Sequence, residues 1–361
     1  MGTPFFIPIK IGLKGPSRLR KQLLIMNIPP IDPMLSHCLQ RFAQLDAETV
    51  TPGLNYVQRR RLMSELQARL LRTRALPHIA VQNHYITAAG QEIAVRSYAP
   101  TQHDSGQTLL WLHGGGWMVG SLDTHDDLCE HLAHYTGHTV LSVHYRRTPE
   151  NPFPAAVDDA QAVLQWLHQM RGVLPFARET VLLGGDSAGG HLALATAVSA
   201  VQMPCPQQAQ IQALLLFYPC LLPGQDNASM RSFAQGYGLT DTAMHQYWQA
   251  LGGEAEPLRT PSLCAEALPL LPPMVIMTAS HDILRDEAED PARRSRGLCL
   301  PDAGTAARAT GAAAARRRHG AWLCTHAHRQ PCGASACGSR VSAAEPLRKN
   351  QQLSTPSAAV T

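Results

Sequence analysis

The 361-residue chain lacks any hydrophobic run long enough to cross a membrane, although 45% of its residues are hydrophobic. A transmembrane helix needs about 20 consecutive, mainly apolar residues. Integral membrane association is therefore not expected. The length and composition favour a soluble globular protein that can bury a large core.

The sequence also lacks a disulfide framework. Five of its nine cysteines are scattered singly through the first 290 residues, and the other four lie in the last 71. The opening segment has charges on both sides of a short apolar patch and no small-residue cleavage site, so it is a poor signal peptide. These absences predict a reducing, cytoplasmic setting. We interpret residues 1–33 as an N-terminal extension, with Met26 as a second candidate start.

Large apolar residues are scarce in the last segment, 291–361, which has no Ile, Met, Phe or Tyr. This segment carries 11 basic against 2 acidic residues, a net charge of +9, whereas residues 1–290 carry 20 against 25, a net charge of −5. So few apolar side chains cannot offset the entropy lost on ordering. The segment is therefore predicted to be a disordered tail, or one that is translated out of frame.

Between these ends, residues 34–290 have the pattern of an α/β domain. Helical spacing of apolar residues predicts two helices within 34–75. Short apolar runs then alternate with amphipathic stretches, which favours a mostly parallel sheet covered by helices on both faces. The predicted strands are 81–88, 92–100, 108–113, 139–145, 180–185, 213–219 and 274–280, and the predicted helices that follow residue 100 include 123–136 and 153–170.

The stretch "LLGGDSAGGHLALA" (182–195) places Ser187 between glycines where a predicted strand becomes a helix. A structural turn needs one or two glycines, whereas four flank this serine. The pattern is typical of a nucleophile elbow, in which a sharp turn exposes the serine hydroxyl above a sheet. Alone this motif is a weak signal, so its partners must be found elsewhere in the chain.

A second glycine-rich motif, "LHGGGW" (112–117), follows a predicted strand about 70 residues earlier. Its glycines allow bare backbone N–H groups to converge on one point, as in the oxyanion loop of esterases. Alone it is also compatible with a simple turn or a phosphate loop. Together with the serine motif it predicts an oxyanion hole made by Gly114, Gly115, Gly116 and Ala188.

Five motifs occur in the same order as in a known family: "HGGGW" (113–117), "YRRTPENPFPAAVDD" (145–159), "GGDSAGG" (184–190), "FYP" (217–219) and "ASHDILRDE" (279–287). The chain resembles the hormone-sensitive-lipase-like esterases of the α/β-hydrolase fold. This resemblance implies a small helical cap, mainly 34–75, over an acyl pocket. It makes Trp117 and Met118 candidates to line that pocket.

The resemblance also implies an acid for the catalytic triad, Asp282 in "HDILRDE". Asp286 is the other candidate, with a structural role favoured by the motif. Asp158 and Asp159 are expected to cap or pair near a helix start, and Asp186 to fix the elbow.

The base is not evident, because a Ser–Asp–His order requires a histidine after Asp282. The family carries it in a His-Gly-Phe motif, whereas His319 is followed by Gly320 and Ala321. His319 is the nearest match, although a chance histidine is a simpler interpretation. A zinc site in "CTHAHRQPCGASAC" (324–337) is disfavoured by its irregular spacing.

A shifted reading frame is the third interpretation. Moving the codons of this region forward by one base converts the Trp322 codon to one for glycine and permits His before it and Phe after it. The shifted frame can therefore encode the His-Gly-Phe motif that the family carries.

The resemblance implies a serine carboxylic-ester hydrolase that forms an acyl-enzyme on short- to medium-chain acyl esters, impaired if the histidine motif is lost. No metal or organic cofactor is implied. The expected partner is a small-molecule ester, with nucleic-acid binding not expected and a homodimer left open. Two alternatives remain: a catalytically inactive small-molecule binding protein of the same fold, and a basic tail that contacts nucleic acid or acidic membrane.

Overall fold

The computed structural model describes residues 31–49, 52–73, 75–88, 90–224, 226–252, 257–264 and 266–289. The predictions made for the extension up to residue 30, for the tail 291–361 and for His319 lie outside these residues. No helix in the described part of the chain is long and apolar enough to cross a membrane.

One seven-stranded sheet forms the centre of the described structure, in the order β1-β2-β4-β3-β5-β6-β7. The strands are β1 (Ile79–Ala88), β2 (Gln91–Pro100), β3 (Thr108–Leu112), β4 (Thr139–His144), β5 (Thr180–Asp186), β6 (Gln210–Phe217) and β7 (Met274–Met277). The hairpin β1–β2 is antiparallel, β2 pairs antiparallel with β4, and the pairs from β4 to β7 are all parallel. The predicted mostly parallel sheet is confirmed.

Eight α-helices accompany the sheet in the described residues: α1 (Pro33–Glu48), α2 (Tyr56–Leu71), α3 (Asp126–Thr136), α4 (Ala155–Gln169), α5 (Ala188–Gln202), α6 (Ala228–Ser232), α7 (Asp241–Leu251) and α8 (Arg285–Glu289). Short 3₁₀ turns lie at Asp123–His125, Pro257–Arg259, Pro261–Leu263 and Leu268–Leu270.

The central strands are apolar because helices cover both of their faces. All five residues of β3 are buried, as are the first five of β4. Helix α5 is buried over twelve of its fifteen residues, from Ala188 to Ser199, which explains why its sequence is apolar on all sides. The core therefore holds β5 and α5 rigidly, and the turn between them is the position of the predicted nucleophile.

The two N-terminal helices begin at well-formed caps. Asn55 accepts a hydrogen bond from the backbone of Gln58, whose side chain returns one to the Asn55 backbone. Such a reciprocal cap satisfies N–H groups that a helix start otherwise leaves unpaired. Further along α2, Arg61 donates to the carbonyl oxygens of Met118 and Thr148 and to the Glu150 carboxylate. Helix α2 is thereby held against the loop that follows β3.

The structure departs from the sequence-based elements in several places. Helix α7 was not predicted, although Thr240 caps it and its buried residues recur at helical spacing. The last predicted strand ends at Met277 rather than at residue 280, and β6 begins three residues earlier than expected. The helix predicted from residue 123 starts with a 3₁₀ turn and becomes α-helical at Asp126.

Candidate active site

Ser187 lies in the tight turn between β5 and α5, with φ 52° and ψ −117°. A left-handed φ is uncommon and strained for a residue with a side chain. Hydrogen bonds hold the turn on both sides: the Ser187 N–H donates to the Phe217 carbonyl at 2.8 Å, and the Cys220 N–H donates to the Ser187 carbonyl at 3.1 Å. The strain is thus maintained by the neighbouring strand ends.

Gly189 shows why the elbow is rich in glycine. A Cβ on Gly189 would lie 1.9 Å from the carbonyl oxygen of Leu112, the last residue of β3. No side chain fits there, so the first turn of α5 can approach the end of β3 only with glycine at this position. The close approach brings Ser187 next to the loop that follows β3.

That loop contains the three glycines predicted to form an oxyanion hole. Gly115 and Gly116 have φ of 121° and 55°, conformations that glycine adopts without a steric penalty. Within the described part of the chain, no acceptor is bonded to the N–H groups of Gly115, Gly116 or Ala188. The Gly114 N–H, expected to be a third donor from this loop, instead donates to Asp186 Oδ1 at 3.0 Å.

Asp186 connects the elbow to its surroundings. Besides Gly114, its Oδ1 accepts a hydrogen bond from the Trp111 indole at 3.2 Å. His125 Nε2 lies 3.3 Å from the other carboxylate oxygen. These contacts join β3, β5 and the start of α3, so Asp186 fixes the turn that holds Ser187.

Ser187 opens on a cavity of about 190 Å³. The cavity is lined by one face of α2, the glycine loop, the residues at 124–128, the elbow at 186–188, the segment 237–247 and the residues at 281–284. Trp117 is among the lining residues. Met118, the other predicted lining residue, is not among the residues that line the cavity; it packs in the core, and its carbonyl accepts a hydrogen bond from Arg61.

Asp282 lies on the wall of the same cavity and is 4% exposed. Its Oδ1 accepts a hydrogen bond from the Leu284 N–H at 2.9 Å. Its Oδ2 is buried and has no hydrogen-bond partner. Burial raises the pKa of this carboxyl to about 6, against opposing effects of the Leu284 hydrogen bond and Arg285. A buried acceptor without a partner is uncommon in folded proteins, and this oxygen is available to a hydrogen-bond donor.

The other carboxylates considered in the sequence have structural partners. Asp286 accepts from the Ser229 N–H at 2.7 Å and from Arg285 Nε at 2.8 Å. Asp159 is bound by Arg146 through its backbone N–H and its guanidinium. Of the two aspartates in the "HDILRDE" motif, Asp282 is thus the one with a buried carboxylate oxygen that has no hydrogen-bond partner.

Two described histidines, His125 and His281, line the cavity. His125 is engaged with Asp186 and Thr124, and His281 stacks on Tyr237 and lies 3.1 Å from Ser280 Oγ. No described residue makes a hydrogen bond with Ser187 Oγ. Ser187 and Asp282 therefore line one cavity, and no described histidine is hydrogen-bonded to Ser187 Oγ or Asp282 Oδ2. No group of three or more metal-binding side chains occurs among the described residues.

Sequence reasoning missed part of the cavity wall. Arg60 and Gln67 of α2 line it, as do Met244 and Tyr247 of α7. The sequence signal that could have found this wall is the helical spacing of α2, because it places Arg60, Ser64 and Gln67 on one face of the helix.

Comparisons with known proteins agree with this geometry. The family described as the alpha/beta hydrolase fold matches residues 109–301. The carboxylic ester hydrolase LipN of Mycobacterium tuberculosis is 36% identical over 228 residues, which span 61% of this chain and 60% of that protein. An arylesterase of Saccharolobus solfataricus is 30% identical over 268 residues, which span 72% of this chain and 84% of that protein.

Comparison with solved structures also finds esterases. The hyperthermophilic esterase of Pyrobaculum calidifontis has a TM-score of 0.65 and 31% identity, covering 75% of this chain and 87% of that one. A thermostable esterase from Pseudomonas putida has a TM-score of 0.65 and 26% identity, covering 76% and 85%. The chain belongs to the alpha/beta hydrolase fold family and is a carboxylesterase-like hydrolase.

Proposed function

We propose that this chain hydrolyses carboxylic esters with Ser187 as the nucleophile. The observation that carries the proposal is the placement of Ser187, half-buried on its strained turn, in a cavity that also contains Gly115, Gly116 and Asp282. A serine held in this way presents its hydroxyl to a bound ester instead of packing it into the core. The turn has no other evident structural purpose, since a glycine or asparagine would adopt its φ at lower cost.

In the proposed reaction, Ser187 Oγ attacks the ester carbonyl carbon and forms a tetrahedral oxyanion. The N–H groups of Gly115, Gly116 and Ala188 supply donors for this oxyanion, since none of the three is engaged elsewhere in the described structure. Fixed donors of this kind stabilise the developing charge and account for factors of about 10² to 10³ in kcat each. Collapse of the intermediate expels the alcohol and leaves an acyl-enzyme, which water then hydrolyses.

Proton transfer needs a base between Ser187 and Asp282. The partnerless Oδ2 of Asp282 is an acceptor for an imidazole N–H, the interaction that orients a triad histidine. His319 is the candidate in the chain as written, and the shifted frame after residue 290 offers the other. Without such a base, Ser187 is a neutral alcohol at pH 7 and a weak nucleophile.

The size of the cavity supports a short- to medium-chain acyl group. A volume of about 190 Å³ is small beside the roughly 300 to 1,000 Å³ of ligand pockets for drug-sized molecules. The face of α2 closes it on one side, and Tyr247 and Met244 of α7 close it on another.

The test is acylation of Ser187 by p-nitrophenyl butyrate in the chain with the shifted frame after residue 290, because the chain as written is expected to react slowly. Peptide mass spectrometry should find a butyryl adduct on Ser187, and the Ser187→Ala chain should show none at any other serine of the cavity. Ser199→Ala is the matched control, because Ser199 is a buried serine of the same helix and does not line the cavity. Ester binding without acylation would instead support the inactive binding protein.

A further inference from the structure

Three consecutive arginines on α2 have different partners. Arg59 binds the Asp46 carboxylate at 3.0 and 3.1 Å, and Arg61 binds Glu150 at 2.8 and 2.7 Å. Arg60, between them, donates to the Tyr247 hydroxyl at 2.8 Å and lines the cavity. It makes no ion pair with any carboxylate of the described residues.

The guanidinium of Arg60 is only partly satisfied. Its Nε is buried and has no hydrogen-bond partner. Burial lowers the pKa of Arg60, but Tyr247, Tyr56 and Asp46 outweigh burial and raise it overall, so the side chain stays charged. Asp46 is already bound by Arg59. Burying a cation with an unused donor costs free energy that a folded protein ordinarily recovers by pairing it.

Arg60 lies close to the reaction centre through Tyr247. A Cβ on Gly116 would lie 2.3 Å from the Tyr247 ring, so the ring packs directly on the oxyanion loop while its hydroxyl holds Arg60. Ser64 and Gln67 follow at the spacing of one helical face and also line the cavity. The α2 wall therefore offers an acyl group the positive charge of Arg60 and the polar side chains of Ser64 and Gln67, beside the apolar Met63, Ala68 and Leu71.

We propose that the cavity takes esters whose acyl group ends in a carboxylate, and that Arg60 binds this carboxylate. The inference rests on the proposed function, because it assigns the substrate class of the same site. A guanidinium has several N–H donors in a fixed plane and pairs well with a carboxylate. Because Nε is shielded from solvent, the carboxylate would bind the terminal Nη donors that Tyr247 leaves unused. A half-ester of a short dicarboxylic acid, such as monomethyl glutarate, has this chemistry.

The test compares monomethyl glutarate with dimethyl glutarate, which share a skeleton and differ by one charge. Calorimetric titration of the full-length Ser187→Ala chain measures binding without turnover. We expect the monoester to bind about 10- to 100-fold more tightly than the diester, the range for a hydrogen bond to a charged group. Equal binding of the two esters, or no measurable binding of the monoester, would overturn the inference without the need for any further variant.

Arg60→Gln in the same background should remove this preference, and Arg60→Lys should retain part of it. Arg59→Gln is the matched control and should leave both dissociation constants within about 3-fold, since Arg59 pairs outside the cavity. A preference that survives Arg60→Gln would assign the carboxylate to another residue and overturn the inference.

Acylation of Ser187 is measured separately. If the shifted-frame chain binds the monoester but its Ser187 is never acylated, the proposed function alone is contradicted. If Ser187 is acylated but the two esters bind equally, this inference alone is contradicted.

Discussion

The backbone N–H of Leu284 donates to Oδ1 of Asp282 at 2.9 Å, while Oδ2 of the same carboxylate is buried without a partner. One hydrogen bond fixes the orientation of the carboxyl but does not compensate for its burial. Burial accordingly raises the pKa of Asp282 to about 6. The fold thus retains a carboxylate that destabilises it when ionised, as expected for a group kept for function rather than stability.

The raised pKa of Asp282 predicts how the free energy of unfolding changes with pH. A pKa of about 6 in the fold and 3.8 as the unperturbed value means that the folded state binds more protons than the unfolded state between these pH values. Stability due to Asp282 therefore falls as pH rises from about 4 to 6 and stays low above that. Relative to wild type, the free energy of unfolding of Asp282→Asn should rise by about 2 kcal/mol between pH 4 and pH 7.5.

Urea denaturation at several pH values measures this difference. Asp286→Asn is the control, because Asp286 already has the Ser229 N–H and Arg285 as partners. A constant offset between wild type and Asp282→Asn across the same pH range would show that Asp282 does not have a raised pKa.

The approach of α5 to β3 predicts a severe effect of Gly189→Ala. The new methyl group would lie 1.9 Å from the Leu112 carbonyl oxygen, so backbone must move. We expect a loss of about 3 kcal/mol or more in the free energy of unfolding. Gly172→Ala is the comparison, since Gly172 has φ 77° but no atom within 4 Å of a Cβ. It should cost about 1–2 kcal/mol from conformation alone. Equal losses in the two variants would contradict the packing argument.

The attachment of α2 predicts different roles for two neighbouring arginines. Arg61→Ala removes the contacts with Met118, Thr148 and Glu150 and should lower the free energy of unfolding by about 1–3 kcal/mol. Arg59→Ala removes an exposed pair with Asp46 and should cost less than about 1 kcal/mol.

Amide hydrogen exchange over 56–71 gives an independent measurement of the same attachment. Exchange in α2 should be faster in Arg61→Ala than in Arg59→Ala. Similar rates in both variants would mean that packing alone holds the helix.

Much of the site could be predicted from the sequence, because its tight turn and close backbone contacts require glycine at fixed positions. Few sequences place four glycines around one serine, and Gly189 shows that the contact with Leu112 tolerates nothing larger. The "HGGGW" motif alone does not show which backbone N–H groups of the glycine loop lack a hydrogen-bond acceptor. Asp186 comes from a neighbouring strand and takes the Gly114 N–H, a contact that depends on the pairing of the two strands.

The role of Arg60 could not be predicted for a similar reason. Three arginines in a row are typical of a solvated helix face, and two of them do bind surface carboxylates. Only the packing of α2 against α7, where Tyr247 meets Arg60, directs the middle one into the cavity. Helix α7 itself was predictable, since the buried residues Met244, Tyr247, Trp248 and Leu251 recur at helical spacing after the Thr240 cap.

The rate of p-nitrophenyl butyrate hydrolysis by four full-length chains shows whether Ser187 is the nucleophile and whether the chain as written lacks its base. They are the chain as written, its His319→Ala variant, the chain with the shifted frame after residue 290, and that shifted chain with Ser187→Ala. We predict that the first two are equally slow, because loss of a triad histidine costs on the order of 10⁶ in kcat. The third should be faster by several orders of magnitude, and the fourth should lose this gain. If Ser187→Ala leaves the faster rate unchanged, Ser187 is not the nucleophile of this chain.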